Sequence, residues 1–178
     1  MRKRCFSLLL ALVLALSACG GEERAQKLEG PVLWFCTSSE ENHGSALACE
    51  PYRPPESQIE PPEGEAAPNP GDLLEALLAG PADPELVSPF PRGLTLQWWE
   101  WDGDHPGNLR VRMSEQYGGL TDISLTLADY CIVLTLSQVD GVETVEIISA
   151  GYTVSYRSHQ QLSGEEAVLW DELADTSS

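Results

Sequence analysis

Positive charge is scarce in this sequence: ten Lys and Arg stand against 28 Asp and Glu over 178 residues, a formal net charge of −18. A chain so acidic is repelled by phosphate backbones and by anionic headgroups, which argues against nucleic acid and against a basic membrane-binding surface. Histidine is scarcer still. His43, His105 and His159 fall in predicted loops or element ends, too far apart for local metal ligation. There is no CxxC pair, no zinc pattern, no GxSxG, no P-loop and no GxGxxG, so the motifs of common metal, hydrolase and nucleotide sites are missing. No catalytic residue, metal ligand or cofactor is assigned. With so many carboxylates, a catalytic acid pair could be drawn anywhere, and the acidic runs read as solvated surface.

The apolar run Phe6–Leu16 is too short for a stable transmembrane helix. Preceded by Arg2, Lys3 and Arg4 and closed by "LSAC", it has the length and flanks of an export signal. Its end resembles a bacterial lipobox, with Cys19 as the lipidated first residue after removal of 1–18; the alternative is an ordinary secretory signal with an incidental cysteine. Each buried acyl CH2 contributes about 0.8 kcal/mol, so the lipid would supply the membrane attachment. The expected location is the extracytoplasmic face of the bacterial cell membrane. The remaining chain keeps seven basic residues against 28 acidic ones, a net −21.

Residues 19–30 are polar and read as a tether. "PVLWFCTS" and "SALACEPY" read as a β-hairpin across "SEENHG". Six prolines between Pro54 and Pro70 make 54–70 an extended acidic loop, and a short helix "DLLEALLAGP" follows, capped by Asp72 and stopped at Gly80-Pro81. "ADPELVSPFPRG" is irregular. "LTLQWWEW" and "LRVRMS" alternate as strands around a turn. In "TDISLTLADYCIVLTLSQVDG", Ile123, Leu127, Cys131 and Leu134 mark an amphipathic helix ending at Asp140-Gly141. "VETVEIISAG" is another strand and "YTVSYRS" one more. The expected fold is α+β: a single small domain over 31–160, a mixed sheet with two helices packed on one face. Residues 161–178 are expected to be an acidic tail or short helix.

These segments resemble the GerMN domain family of sporulation and spore-germination proteins. The resemblance rests on Leu77-Leu78-Ala79-Gly80-Pro81, Pro91-Arg92-Gly93, Val111-Arg112-Met113-Ser114, Val133-Leu134-Thr135-Leu136 and Val142-Glu143-Thr144-Val145, with "PVLWFCTS" as the opening strand. It spans roughly 31–151. It implies a module similar to the ring-building domains of secretion systems, often on lipoproteins, without enzymatic activity. The family's namesake carries two such domains, and this chain has room for one.

Strict alternation in "LTLQWWEW" places Leu94, Leu96 and Trp98 in the core and Trp99 and Trp101 on the opposite face, beside Arg110 and Arg112. That patch is open to three readings: cover by another segment, an interface with an envelope protein, or a platform for cell-wall glycan or a small ligand. A homo-oligomer is compatible with the second. "DGDHPGN" offers Asp102, Asp104 and Gly107 in EF-hand positions, but Pro106 and Met113 stand where ligands are required, so it reads as a hairpin turn. If the first hairpin turns near Asn42-His43, Cys36 and Cys49 lie opposite and either form a disulfide or remain thiols, while Cys131 reads as a core residue.

Overall fold

The computed structural model describes residues 30–38, 46–54, 69–150 and 160–167. The export signal, Cys19, the tether before residue 30, His43, His159, most of the proline-rich loop, the strand expected in "YTVSYRS" and the tail beyond 167 lie outside the described residues. Two sheets flank two helices. The first sheet has the order β2-β1-β3, with β1 at Val32–Thr37, β2 at Leu47–Pro51 and a two-residue β3 at Leu86–Val87. The second has the order β4-β5-β6-β7, with β4 at Leu96–Trp101, β5 at Asn108–Met113, β6 at Thr144–Ser149 and β7 at Gln160–Leu162. It is mixed: β5 and β6 are parallel, the other neighbours antiparallel. A parallel pair needs a crossover, and helix α2 at Asp122–Leu136 supplies it.

Helix α1 covers Pro70–Ala79. Its cap is Asn69, not Asp72: the Asn69 side chain accepts from the Asp72 backbone N–H at 3.0 Å, Pro70 takes the first helical position, and Asp72 sits in the first turn. The helix stops at Gly80, as its sequence requires. Leu73, Leu74 and Leu77 of α1 meet Leu33 and Phe35 of β1, Ala128, Ile132, Val133 and Leu136 of α2, and Leu109, Val111, Met113, Val145 and Ile147 of the second sheet in one core.

Helix α2 differs from its expected stripe. Ile123 is 76% exposed, whereas Asp129 and Thr135 are buried. The helix has β1 on one side and the second sheet on the other, so its C-terminal half is enclosed and no single apolar face exists. Its buried polar groups are bonded. Tyr117, in the 3-10 turn Glu115–Gly119, donates its hydroxyl to Asp129. Burial, reinforced by the Asp129 charge, holds the Tyr117 phenol well above its usual range, so it stays a donor. The β1 edge is closed by α2: Thr135 Oγ1 accepts from Trp34 N–H at 3.1 Å, and the Gln138 amide both accepts from Val32 N–H at 2.8 Å and donates to Val32 C=O at 2.6 Å. A strand edge left open would present unpaired backbone groups, and these two side chains stand in for a neighbouring strand.

The first hairpin does not bring Cys36 opposite Cys49. Cys36 pairs with Leu47 and Cys49 with Trp34, and all three cysteines of the described residues are thiols. The domain also runs past residue 160: β7 pairs with β6, and Ala167 enters the core.

The pairing of β4 with β5 contains one extra residue. Leu96 faces Met113, but Trp98 faces Arg112, so Gln97 is bulged out. Beyond the bulge every side chain changes face. Trp99 therefore pairs with Val111 and packs against the core, where its indole Nε1 lies 2.6 Å from the position a Cβ on Gly71 would occupy. Gly71→Ala is expected to cost about 1–3 kcal/mol through overpacking and to shift the tryptophan emission as Trp99 is displaced. Denaturant unfolding monitored by fluorescence checks both; an unchanged midpoint would mean that the indole yields freely.

Candidate functional site

Both helices pack on the inner face of the four-stranded sheet, leaving the outer face to the side chains that the bulge selects. Trp98 and Glu100 from β4 stand opposite Arg112 and Arg110 from β5, and Glu146 of β6 stands opposite Arg110. Arg110 donates through its Nη1 to Glu100 at 2.9 Å and through its Nε to Glu146 at 2.9 Å, a ladder of charge across three strands. Its guanidinium carbon lies 6.0 Å from the centre of the Trp98 ring, within cation–π range. Partial burial works against the Arg110 charge, and the carboxylates of Glu146 and Glu100 outweigh it, holding the pKa above its ordinary value. Arg112 is bonded differently. Its Nε donates to the Gln97 side chain at 3.2 Å, so among the described residues it meets a neutral amide rather than a carboxylate.

Arg110 and Arg112 lie together on this face, and the tryptophans are displaced by one residue from the alternation expected of them. Trp98, expected in the core, lies with the arginines. Trp99 is on the core side, and Trp101, paired with Leu109, is at the rim of that side with 44% exposure. The three indoles are divided between two faces and do not form one stacking platform. Glu100 carries the signal for this arrangement. Unbroken alternation would put it on the core side with Trp98, an unpaired charge among leucines, and the bulge turns it outward to Arg110.

At one end of the sheet, the turn between β4 and β5 is organised by Asp102. One carboxylate oxygen accepts from the Asp104 backbone at 2.9 Å; the other meets His105 Nδ1 at 3.1 Å and Asn108 Nδ2 at 3.2 Å. Gly107 has φ +88°, and a Cβ there would lie 2.8–2.9 Å from the Glu143 side chain, so only glycine fits. Asp102 is occupied by the turn, and no group of three or more His, Cys, Asp or Glu among the described residues is placed to hold a metal ion.

A concavity of about 730 Å³ opens between β2 and α1. Glu50, Asp72, Glu75 and Asp83 line it beside Leu33, Tyr52 and Ala76. Glu50 is committed to the fold, accepting from the backbone N–H groups of Ala82 and Asp83 at 2.9–3.1 Å and so fixing the chain after α1. Burial, with the Asp72 charge nearby, raises the Tyr52 phenol pKa.

The family model described as Germane, sporulation and spore germination, matches residues 44–155. Among solved structures, the tandem GerMN domains of the sporulation protein GerM from Bacillus subtilis match at a TM-score of 0.49 and 16% identity, over 75% of this chain and 43% of that one. This chain therefore spans less than half of that tandem structure. A protein from Clostridium perfringens described as a lipoprotein matches at a TM-score of 0.44 and 11% identity, over 76% of this chain and 89% of that one. No curated protein matches.

The turn makes a pH prediction. The Asp104 N–H first, then His105 and Asn108, outweigh a small desolvation cost and lower the Asp102 carboxyl from 3.8 to about 2. A carboxyl depressed in the fold lends stability that is present above its unfolded value and lost as pH falls through its folded one. The Asp102 bonds should therefore persist at pH 4 and open towards pH 2. Carbon-detected NMR should place the Asp102 titration near 2, with His105→Ala moving it upward. A wild-type midpoint at the ordinary aspartate value would show that these bonds do not favour the carboxylate.

Proposed function

The chain belongs to the Germane family of sporulation and spore germination proteins, and from that premise we propose that it is a lipid-anchored docking module on the outer side of the bacterial cell membrane. Cys19, following the Phe6–Leu16 apolar run, is the proposed point of lipid attachment. The domain acts by binding another envelope protein rather than by catalysis.

The observation that carries this reading is the outer face of the β4-β5-β6 sheet. Tryptophan and arginine are the side chains most enriched at the energetic centres of interfaces. Here they sit on a rigid sheet, with Arg110 held by two carboxylates and its charge stacked towards Trp98. Holding these long side chains in place beforehand lowers the ordering cost of association. Arg112, bonded to an amide rather than a carboxylate, offers its guanidinium to an acidic group on a partner. Two of the seven basic residues that follow the export signal are gathered on this face of a strongly acidic protein, which marks it out electrostatically.

The test is crosslinking and recovery from sporulating and vegetative cells, comparing wild type with the Trp98→Ala, Arg112→Ala double variant. An envelope protein recovered with wild type and depleted about tenfold or more with the variant is expected, equivalent to losing roughly 1.4 kcal/mol or more. A second copy of this chain recovered in the same way would identify the partner as itself. Equal recovery with both would place docking elsewhere. Cys19→Ala should separately release the protein from the membrane fraction; retention there would remove the lipid anchor from the account.

A further inference from the structure

Strand β1 and helix α2 pass one another in a fixed register. Gln138 meets Val32 and Thr135 meets Trp34. Two residues further along the strand and four residues back along the helix lie Cys36 and Cys131. Two strand residues advance by about 6.6 Å and four helical residues by about 6 Å, so the seam stays in step and brings the two cysteines together. The ionisation of each thiol responds to the other across this seam. Cys36 is half-buried, whereas Cys131 is fully enclosed.

We propose that Cys36 and Cys131 are a disulfide-forming pair, closed by exchange with an external disulfide, that clasps β1 to α2. The setting rests on the extracytoplasmic reading, since disulfides persist in oxidising compartments. In the first step the Cys36 thiolate attacks one sulfur of the external disulfide. That S–S bond breaks, Cys36 is joined to one half, and the other half leaves as a thiolate. Cys131 then gives its proton to solvent, and its sulfur attacks the Cys36 sulfur, expelling the second half as a thiolate. The protein loses two electrons and two protons, and the external disulfide is reduced to two thiols.

The pair is asymmetric in a way that fits this order. The Cys131 hydrogen bond lowers the Cys36 pKa against the opposing effect of burial, so the more accessible thiol is the better nucleophile. The same bond, with burial and the Cys36 charge, holds Cys131 protonated. Once Cys36 carries the mixed disulfide, that charge is gone and Cys131 can ionise. Cys49 is a poor competitor. Burial raises its pKa, and it lies one diagonal step from Cys36 across the hairpin. Diagonal neighbours stand roughly 7–8 Å apart, beyond the usual span of a disulfide.

Full-length protein purified from membranes under reductant would be incubated with oxidised glutathione, alkylated and digested without reduction. The expected result is a linked Cys36–Cys131 peptide, an intact mass about 2 Da lower, and a Tm that falls by roughly 10 °C when the bridge is reduced. Cys49→Ser should retain the link, and Cys131→Ser should leave Cys36 as a stable glutathione adduct. Three alkylated thiols in wild type, or a link through Cys49, would overturn the proposal. Alkylation in intact cells separates the setting from the pairing. A link formed with glutathione but absent in cells would uphold the pair and count against the extracytoplasmic reading.

Discussion

The open edge of β1 is the constraint on which the rest of the structure depends. β3 reaches only Cys36 and Thr37, so on that edge, opposite β2, the backbone of Val32 and Trp34 has no strand beside it. Thr135 and Gln138 close that edge from α2, and in doing so they fix the helix along the strand. Leu33 and Phe35 of β1 join Ala128, Ile132 and Leu136 of α2 in one core with α1 and the second sheet. A helix clasped in this way serves both sheets, and this explains why it buries a threonine and an aspartate along with its aliphatic side chains.

The second determinant is the single bulged residue in β4. Without it, Glu100 would be directed into the core and Trp99 out of it. With it, Trp99 closes against Gly71 on the inside, and Trp98, Glu100, Arg110 and Glu146 form a continuous outer row. One inserted residue thus divides the same five-residue stretch between the core and the outer charged row. The clasp and the bulge are coupled through the core: α1 leans on Trp99 and β1 leans on α1 and α2.

What could be read from the sequence was local. The Gly80-Pro81 stop, the hairpin turn at Asp102–Gly107 and the existence of the long helix follow from turn chemistry and periodicity, although that helix ends at Leu136 rather than at Asp140-Gly141. The α+β class follows from the order of those elements. Long-range register was not legible. Nothing within "VLWFCT" announces that its edge is completed by Thr135 and Gln138, a hundred residues away in sequence. For the same reason the sequence sets Cys36 against its hairpin neighbour Cys49, and only the register of α2 brings Cys131 to it. The bulge did leave a trace, in the charge of Glu100, but only a conflict between alternation and charge reveals it. The family could be recognised because its motifs are these same local stops and strand ends.

The measurement that tests the clasp most directly is amide hydrogen exchange at Val32 and Trp34, compared with Val111 in the centre of the second sheet. Bonding to Gln138 and Thr135 predicts protection of both amides close to that of Val111, and its selective loss at Trp34 in Thr135→Val. Exchange of Val32 and Trp34 at the rate of an open strand edge, with Val111 protected, would contradict the account.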